Sequence, residues 1–399
     1  MIDVTYLYCG KESISVPHRY GRALDGIKSG EAEGYKVAET ASGRKPIVVW
    51  NITRTCNMKC LHCYSDSDNK RYEGELSTNE AKAVIDDLAE FKVPALLFSG
   101  GEPLMRHDIF KLAKYAQNLK IRTVLSTNGS LITPQIAARI KETGFIYVGI
   151  SLDGIGETHD RFRGLDGAFE KTLAGFENCI AAGQKTGLRL TLTKHTYKEL
   201  DKIFALIEEK GINRVCFYHL VPSGRGKDIG VLTNEETRDA LDLILQKAKD
   251  FVQRGINCEI LTVDSHCDGP YIYLKLLEQN DPRAEWVYKV LEWNGGGLYS
   301  SGSGISSIDH KGNVHPDQFW MHYTIGSIRH ENFSQLWSKN EHLLTKLRDR
   351  KKYIKGRCAE CRFLDLCGGG FRARAELITG DTWDTDTNCY LTENEISCR

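Results

Sequence analysis

A chain of 399 residues, 41% of them apolar, can bury one large α/β core with a smaller companion unit. Lysine plus arginine equals aspartate plus glutamate at 53 each, so no overall field marks a binder of nucleic acid or of membrane surfaces, and no run approaches the roughly 18 apolar residues of a membrane span. The opening Met1-Ile2-Asp3-Val4-Thr5 is not that of a signal peptide, so the chain is expected in the cytoplasm, where thirteen cysteines argue for metal binding over disulfides.

Residues 1–45 are polar and dotted with glycine, and read as an N-terminal extension folded over the main domain. From Pro46 to about residue 230, apolar runs at 47–52, 95–98, 123–125, 147–152, 188–192 and 215–221 alternate with helical patterns near 78–91, 107–119, 133–143, 168–182 and 198–210. Strands alternating with helices of this length form right-handed βαβ units around a parallel sheet. Six strands are too few for a closed eight-stranded barrel, so the fold expected is α/β, an open, partial (β/α)6 barrel of TIM type over 46–230. A helix near 234–254 opens a connecting region, 231–345, that completes the barrel, and 346–399 carries a second group of cysteines as a C-terminal iron–sulfur extension.

Chemistry in such a barrel gathers where the strands end. A cysteine loop follows the first strand, Ser99-Gly100-Gly101-Glu102-Pro103 the second and Ser126-Thr127-Asn128-Gly129 the third. Ser151-Leu152-Asp153-Gly154 closes the fourth, and the segment 219–226 closes the sixth.

The cysteine loop reads Cys56-x3-Cys60-x2-Cys63, followed by Tyr64. Three thiolates suit a four-iron cluster that keeps one iron open to an outside ligand, whereas a structural zinc site wants four closed ligands. The competing reading is a zinc knuckle that borrows His62. The second group, Cys358-x2-Cys361-x5-Cys367 with Cys389 beyond it, supplies four thiolates and no vacancy, which fits a closed auxiliary four-iron cluster; a zinc ribbon is the alternative. Cys398 rivals Cys389 as the last ligand. Of the scattered cysteines, Cys9, Cys179, Cys216, Cys258, Cys267 and Cys398, most read as ordinary buried thiols.

The cysteine spacing together with Gly100-Gly101-Glu102-Pro103 resembles the radical S-adenosylmethionine superfamily over about 46–230. The resemblance implies a [4Fe-4S] cluster on Cys56, Cys60 and Cys63, with S-adenosylmethionine on the open iron and its cleavage to a 5′-deoxyadenosyl radical. Gly100 and Gly101 then admit close backbone approach to the cofactor, and Glu102 accepts from its ammonium. Ser126, Asn128, Ser151 and Asp153 are candidates for its polar groups, and Arg163 for its carboxylate. Asn128-Gly129 and Asp153-Gly154 are also ordinary turn dipeptides. The C-terminal cysteines resemble the SPASM and twitch extensions of that superfamily. Asp317 stands where two-cluster extensions carry a cysteine, and 294–304 hold none, so one auxiliary [4Fe-4S] cluster on Cys358, Cys361, Cys367 and Cys389 is expected.

Beyond the core, Tyr8-Cys9-Gly10, Pro316-Asp317-Gln318-Phe319-Trp320 and Gly368-Gly369-Gly370-Phe371-Arg372-Ala373-Arg374 are similar to the haem-biosynthesis branch, which contains the 12,18-didecarboxysiroheme deacetylases and the NirJ-like haem d1 enzymes. That resemblance implies an iron-tetrapyrrole substrate, didecarboxysiroheme, loss of its two acetate arms to give iron-coproporphyrin III, and a low-potential electron donor such as ferredoxin or flavodoxin. The alternatives are action on propionates of the same skeleton, and peptide modification, for which 1–45 is too short to form a peptide-binding winged helix. Arg225, Arg372 and Arg374 are candidate clamps for substrate carboxylates, and His219 and His315 candidates for its iron or a propionate; for all five a structural role is the commoner reading.

Overall fold

The computed structural model describes residues 1–12, 45–339 and 341–397, so most of the predicted N-terminal extension (13–44) and Cys398 lie outside the described residues. Among the described residues eleven strands form one sheet: β1 (Ile2–Asp3), β2 (Ile47–Asn51), β3 (Leu96–Ser99), β4 (Thr123–Thr127), β5 (Tyr147–Ser151), β6 (Thr186–Leu192), β7 (Arg214–His219), β8 (Glu259–Val263), β9 (Ile305–Ile308), β10 (Asn313–His315) and β11 (Gly326–Ser327). Their order is β1-β8-β7-β6-β5-β4-β3-β2-β9-β10-β11. The six predicted strands are β2 to β7, all parallel and adjacent in chain order.

The parallel sheet runs further than those six. β8 joins β7 and β9 joins β2 in parallel, while β1 and β10 pair antiparallel at the flanks. β9 carries Ile305-Ser306-Ser307-Ile308, whose serines are fully buried, and Ser306 Oγ donates to the His315 carbonyl at 2.9 Å. Two buried hydroxyls, of which that of Ser306 is satisfied by the His315 carbonyl, hid this strand from an apolar count.

The crossover helices match the predicted spans within two residues. Thr78–Glu90 starts at a Ser77–Glu80 capping box and buries Ala81, Val84, Ile85 and Leu88, the i, i+3, i+4, i+7 stripe of a helix laid on a sheet. Each such leucine or isoleucine contributes about 2 kcal/mol of burial. Among the described residues no helix is long and apolar enough to cross a membrane.

Strand parity divides the sheet into two faces. Val148 and Ile150 of β5, Leu188, Leu190 and Leu192 of β6, and Val215 and Phe217 of β7 are buried beneath the helices. The opposite, inner face is set by the lateral register. One row holds Asn51, Ser99, Ser126 and Gly149; the next pairs Ser151 with Arg189; the third pairs Thr191 with Tyr218. Apolar outside and polar inside, this barrel carries its chemistry on the inner face.

Candidate active site and cysteine centres

The loop leaving β2 brings Cys56, Cys60 and Cys63 to the strand-end rim and is braced from three sides. Lys59 N donates to Arg163 O (3.1 Å) and Leu61 N to Phe162 O (2.9 Å). Arg225 holds the loop with Nε on Cys60 O and Nη2 on Ser67 O, both at 2.9 Å. Asn57 donates to Ser130 Oγ at 2.9 Å and accepts from Asn128 Nδ2 at 2.9 Å. Arg225 is therefore a buttress of the cysteine loop, with its donors already placed on protein carbonyls.

Each sulfur faces protein donors. Met58 N lies 3.4 Å from Cys56 Sγ, Arg163 Nη1 3.6 Å from Cys60 Sγ, and Ser67 N 3.4 Å from Cys63 Sγ. Burial, with Glu102 second, pushes the Cys56 thiol up to about 12, and burial raises Cys60 despite Arg163. Cys56 and Cys60 are buried and Cys63 half-buried, and none is in a disulfide, so thiols held up by burial keep their protons until a bound metal displaces them. Among the described residues no three or more His, Cys, Asp or Glu converge to hold a single metal ion. His62, the ligand a zinc knuckle would borrow, instead stacks on Phe162 with ring centroids 4.7 Å apart.

The Gly100-Gly101 turn is zipped onto the same loop. Gly101 N donates to Thr53 O (2.8 Å) and Glu102 N to Thr55 O (2.9 Å). A Cβ on Gly100, whose φ is +137°, would sit 2.3 Å from Thr53 O, and one on Gly101 2.3 Å from Thr55 O. Glycine is needed here for backbone against backbone. Glu102 is fully buried, with Oε1 accepting from Leu104 N (3.0 Å) and Thr127 Oγ1 (2.8 Å) and Oε2 from Asn128 N (2.8 Å). Burial outweighs these donors and pushes its carboxyl up to about 7. Glu102 thus ties the β3 exit to the β4 exit.

Asp153 and Arg163 are brought together, both buried. Arg163 Nη2 bonds Asp153 Oδ2, whose other oxygen accepts from Thr191 N at 2.6 Å. The arginine expected to face a cofactor carboxylate therefore spans Asp153 and the Cys60 sulfur. Asn128 turns its amide to Asn57 and its oxygen to Ser130. Ser126 and Ser151 lie on the inner face as polar groups among open register positions.

One inner-face residue was missed. Arg189 extends along the sheet to put Nη1 2.5 Å from Ser126 Oγ, and its buried Nε has no hydrogen-bond partner among the described residues. Gly149 makes room, since a Cβ there would lie 2.1 Å from Arg189 Nε. The signal was available: in Leu188-Arg189-Leu190-Thr191-Leu192 a period of two sets the arginine opposite the leucines. Tyr64 reaches the same row, its hydroxyl donating to Asn51 Oδ1 at 2.8 Å.

The other substrate candidates are structural. His219 shares parity with Val215 and Phe217 on the helix side, where Nε2 meets Asp268 Oδ2 at 3.0 Å. His315 is buried with Nδ1 2.7 Å from Tyr323 O. Arg372 donates to the carbonyls of Gly369, Thr382 and Asp384. Arg374 pairs with Asp386 through Nε (2.8 Å) and Nη2 (2.9 Å), and reaches Asp264 O at 2.8 Å. It thereby fastens the C-terminal segment to the end of β8.

In that segment Cys358, Cys361, Cys367 and Cys389 line one pocket with Phe363, Leu391 and Ile396, a donor set and apolar surround suited to a four-thiolate cluster. Cys267, read as an ordinary thiol, lies in the same pocket. A hydrogen bond from Cys267 is the main reason the Cys389 thiol is drawn down to about 7, with Arg357 Nη1 also 3.4 Å from its sulfur. Asp317, at the position expected for a cysteine, is buried, bonded to Ser301 Oγ and to Phe319 N. Arg350 closes the same corner on Ser301 O at 3.0 Å.

A parallel partial barrel with three cysteines at its rim is the architecture of one enzyme class, and residues 50–207 match the model of the Radical SAM superfamily. The chain belongs to the Radical SAM superfamily and is a radical S-adenosylmethionine enzyme. It is 48% identical to the Fe-coproporphyrin III synthase of Methanosarcina barkeri over 99% of both chains. With the pre-heme d1 synthase of Dinoroseobacter shibae it shares 44% identity over 88% of this chain and 87% of that one. The fold is that of Streptococcus suis SuiB bound to S-adenosylmethionine, at 17% identity and a TM-score of 0.69, covering 87% of this chain and 78% of SuiB. S-adenosylmethionine and a [4Fe-4S] cluster are the cofactors of this class, and the Cys56, Cys60 and Cys63 loop fits them.

Proposed function

We propose that this enzyme removes the two acetate arms of 12,18-didecarboxysiroheme to give iron-coproporphyrin III, the product that the name of the Methanosarcina barkeri relative gives. The observation that carries this reading is identity of 48% extending over 99% of both chains, so that it includes the C-terminal segment as well as the barrel. The 44% likeness to a pre-heme d1 synthase supports the second reading, chemistry at the propionates of the same skeleton.

Cys56, Cys60 and Cys63 would hold a [4Fe-4S] cluster, with S-adenosylmethionine bound beside it. When bound, this pair supplies a 5′-deoxyadenosyl radical that takes a hydrogen atom from substrate. The protein's part is to hold and exclude. The Gly100–Gly101–Glu102 turn presents its backbone beside the cysteines, with Glu102 locking it to Asn128. Ser126, Ser151 and Arg189 offer hydroxyls and a guanidinium to the cofactor's carboxylate from the inner face, the charge-assisted contact best suited to a carboxylate. Asp153 and Arg163 act one layer out by setting the Cys60 sulfur. Water exclusion follows from the C-terminal segment, which Arg374 pins to the strand ends.

An auxiliary [4Fe-4S] cluster sits on Cys358, Cys361, Cys367 and Cys389, and a low-potential donor of the ferredoxin or flavodoxin type supplies electrons in the cytoplasm. Residues 46–230 form the barrel core, 231–345 its completion and 346–399 the cluster extension.

Anaerobic turnover of reconstituted enzyme with 12,18-didecarboxysiroheme, followed by product mass, tests the reading. Loss of both acetate arms supports it; a product that keeps them and is altered at its propionates moves the assignment to the second. If the Cys56, Cys60, Cys63 triple alanine variant still cleaves S-adenosylmethionine, the cluster assignment fails.

A further inference from the structure

We propose that the cavity between the cysteine loop and the β9–β10 turn seats one propionate arm of the tetrapyrrole, with Lys311, Arg54 and His310 as the groups that receive its carboxylate. The inference deepens the proposed reaction and rests on it. The cavity measures about 240 Å³ and opens from Asn51 and Tyr64, already placed on the inner-face row, toward the exposed side chain of Lys311. That volume is below the roughly 300–1,000 Å³ that takes a whole drug-sized ligand, so it suits an arm and not a macrocycle.

Sheet register puts the turn there. β9 lies parallel to β2 with Ile308 beside Trp50, so residues 309–312 leave the sheet at the same strand-end rim as the cysteine loop. Asp309 then shapes the turn. Its Oδ1 accepts from Lys311 N and Asn313 N, both at 2.8 Å, and its Oδ2 from Asn313 Nδ2 at 2.9 Å. With those oxygens occupied, Asp309 leaves the cations of the cavity unmatched. Lys311 forms no ion pair among the described residues, and neither does Arg54, whose Nε and Nη2 rest on the carbonyls of Ser65 (2.9 Å) and Asp66 (3.4 Å). His310 is 7% exposed, and its Nε2 has no hydrogen-bond partner among the described residues. The Tyr72 ring steadies both, 4.8 Å from the Arg54 guanidinium and edge-on to His310 at 6.0 Å. The Asp66 carboxylate also lines the cavity, but from an exposed residue where solvent screens it. Two unmatched cations beside an orphaned ring nitrogen make a site that a carboxylate satisfies. The arms that are removed have to meet the reacting centre on the inner face, whereas an arm drawn toward Lys311 points to solvent. The arm held here is therefore one that the product keeps.

The test is equilibrium binding to the full-length, cluster-loaded, unreduced enzyme in the presence of S-adenosylmethionine. The probes are 12,18-didecarboxysiroheme and iron-coproporphyrin III, followed by their visible absorption. Lys311→Met should weaken both probes by up to about fivefold, as loss of an exposed ion pair does, and Lys311→Glu should weaken both further. His310→Phe keeps a ring and loses the nitrogens, and should weaken both by about fivefold with the affinity for S-adenosylmethionine unchanged. Wild-type affinity for both probes in Lys311→Glu and in His310→Phe overturns the cavity alone. Weakening of didecarboxysiroheme with iron-coproporphyrin III unaffected overturns it by giving the cavity to an acetate arm. Loss of S-adenosylmethionine affinity in His310→Phe, with Lys311→Glu binding both probes normally, overturns it by making His310 a support of the cysteine loop. A wild-type enzyme that binds neither probe removes the tetrapyrrole reading, and the inference falls together with it.

Discussion

Arg163 stands between a carboxylate and a thiol: its Nη1 is 3.6 Å from Cys60 Sγ while its Nη2 bonds Asp153 Oδ2. All three side chains are buried, so the guanidinium neutralises Asp153 and supplies a donor to a cluster ligand at once. Arg163→Ala leaves Asp153 as an uncompensated buried charge, and breaking such a pair costs about 3–5 kcal/mol. We expect a lower urea midpoint in the metal-free protein and a reduced iron content after reconstitution. Arg163→Lys keeps the charge but loses the fork, and should fall between. A midpoint unchanged in the alanine variant would mean that Asp153 is not ionised or not enclosed.

Glu102 gives a pH signature. Its folded carboxyl, pushed up to about 7 by burial, binds its proton more tightly than the unfolded chain, where the ordinary value is 4.5. Stability from this group is therefore full below pH 4.5 and is lost as the pH rises through 7. For this fully buried group the change is on the order of 3 kcal/mol. Glu102→Gln cannot titrate, so the stability of the metal-free wild type relative to this variant should fall between pH 4.5 and 7.5. Equal offsets at pH 4.5 and 7.5 in urea unfolding would show that Glu102 ionises as it does in solvent. Glu102→Ala leaves Leu104 N, Thr127 Oγ1 and Asn128 N without their acceptor and should destabilise at every pH, since each orphaned buried donor costs about 1–3 kcal/mol.

Periodicity located β2 to β7 and their helices because those strands are apolar on the helix face, Leu188, Leu190 and Leu192 being the plainest case. It could not find β9, where Ser306 and Ser307 are buried and break the apolar pattern that marks the other strands. The cysteine spacing and the glycine pair were visible as residues, yet the need for Gly101 comes from Thr55 O, which no local pattern announces. Arg163 was legible as a cation near the site, but its partner Asp153 was a matter of geometry. Parity in β7 already placed His219 with Val215 and Phe217, away from the inner face. Cys267 entered the auxiliary pocket through a long-range approach, some 90 residues from Cys358, and left no local trace.

Gly101→Ala tests the zipped turn. The added Cβ would meet Thr55 O at 2.3 Å and Arg54 O at 2.6 Å, both backbone atoms that move only if the cysteine loop moves. We expect the variant to lose the iron of the Cys56, Cys60 and Cys63 site while keeping about four irons at the C-terminal cysteines, read from iron content and from EPR of the reduced protein. Full iron content with an unaltered spectrum would show that the turn yields without disturbing the loop.

Arg189 is a half-buried cation, with its Nε enclosed, whose nearest partner is a neutral hydroxyl, Ser126 Oγ at 2.5 Å. A guanidinium with a spare buried Nε carries a desolvation penalty that a bound carboxylate would relieve. Arg189→Met, close in length and without charge, removes both the penalty and the contact. The variant should therefore hold or raise its urea midpoint while binding S-adenosylmethionine about 10- to 100-fold more weakly, the span expected for a charged hydrogen bond of about 1.5–3 kcal/mol. Ser126→Ala should weaken binding less, by roughly fivefold, as a neutral donor does. Equilibrium binding to the cluster-loaded, unreduced enzyme separates affinity from turnover. Unchanged affinity in Arg189→Met would place the cofactor carboxylate on another group, whereas a large loss of stability would mean that the guanidinium serves the fold and not the ligand.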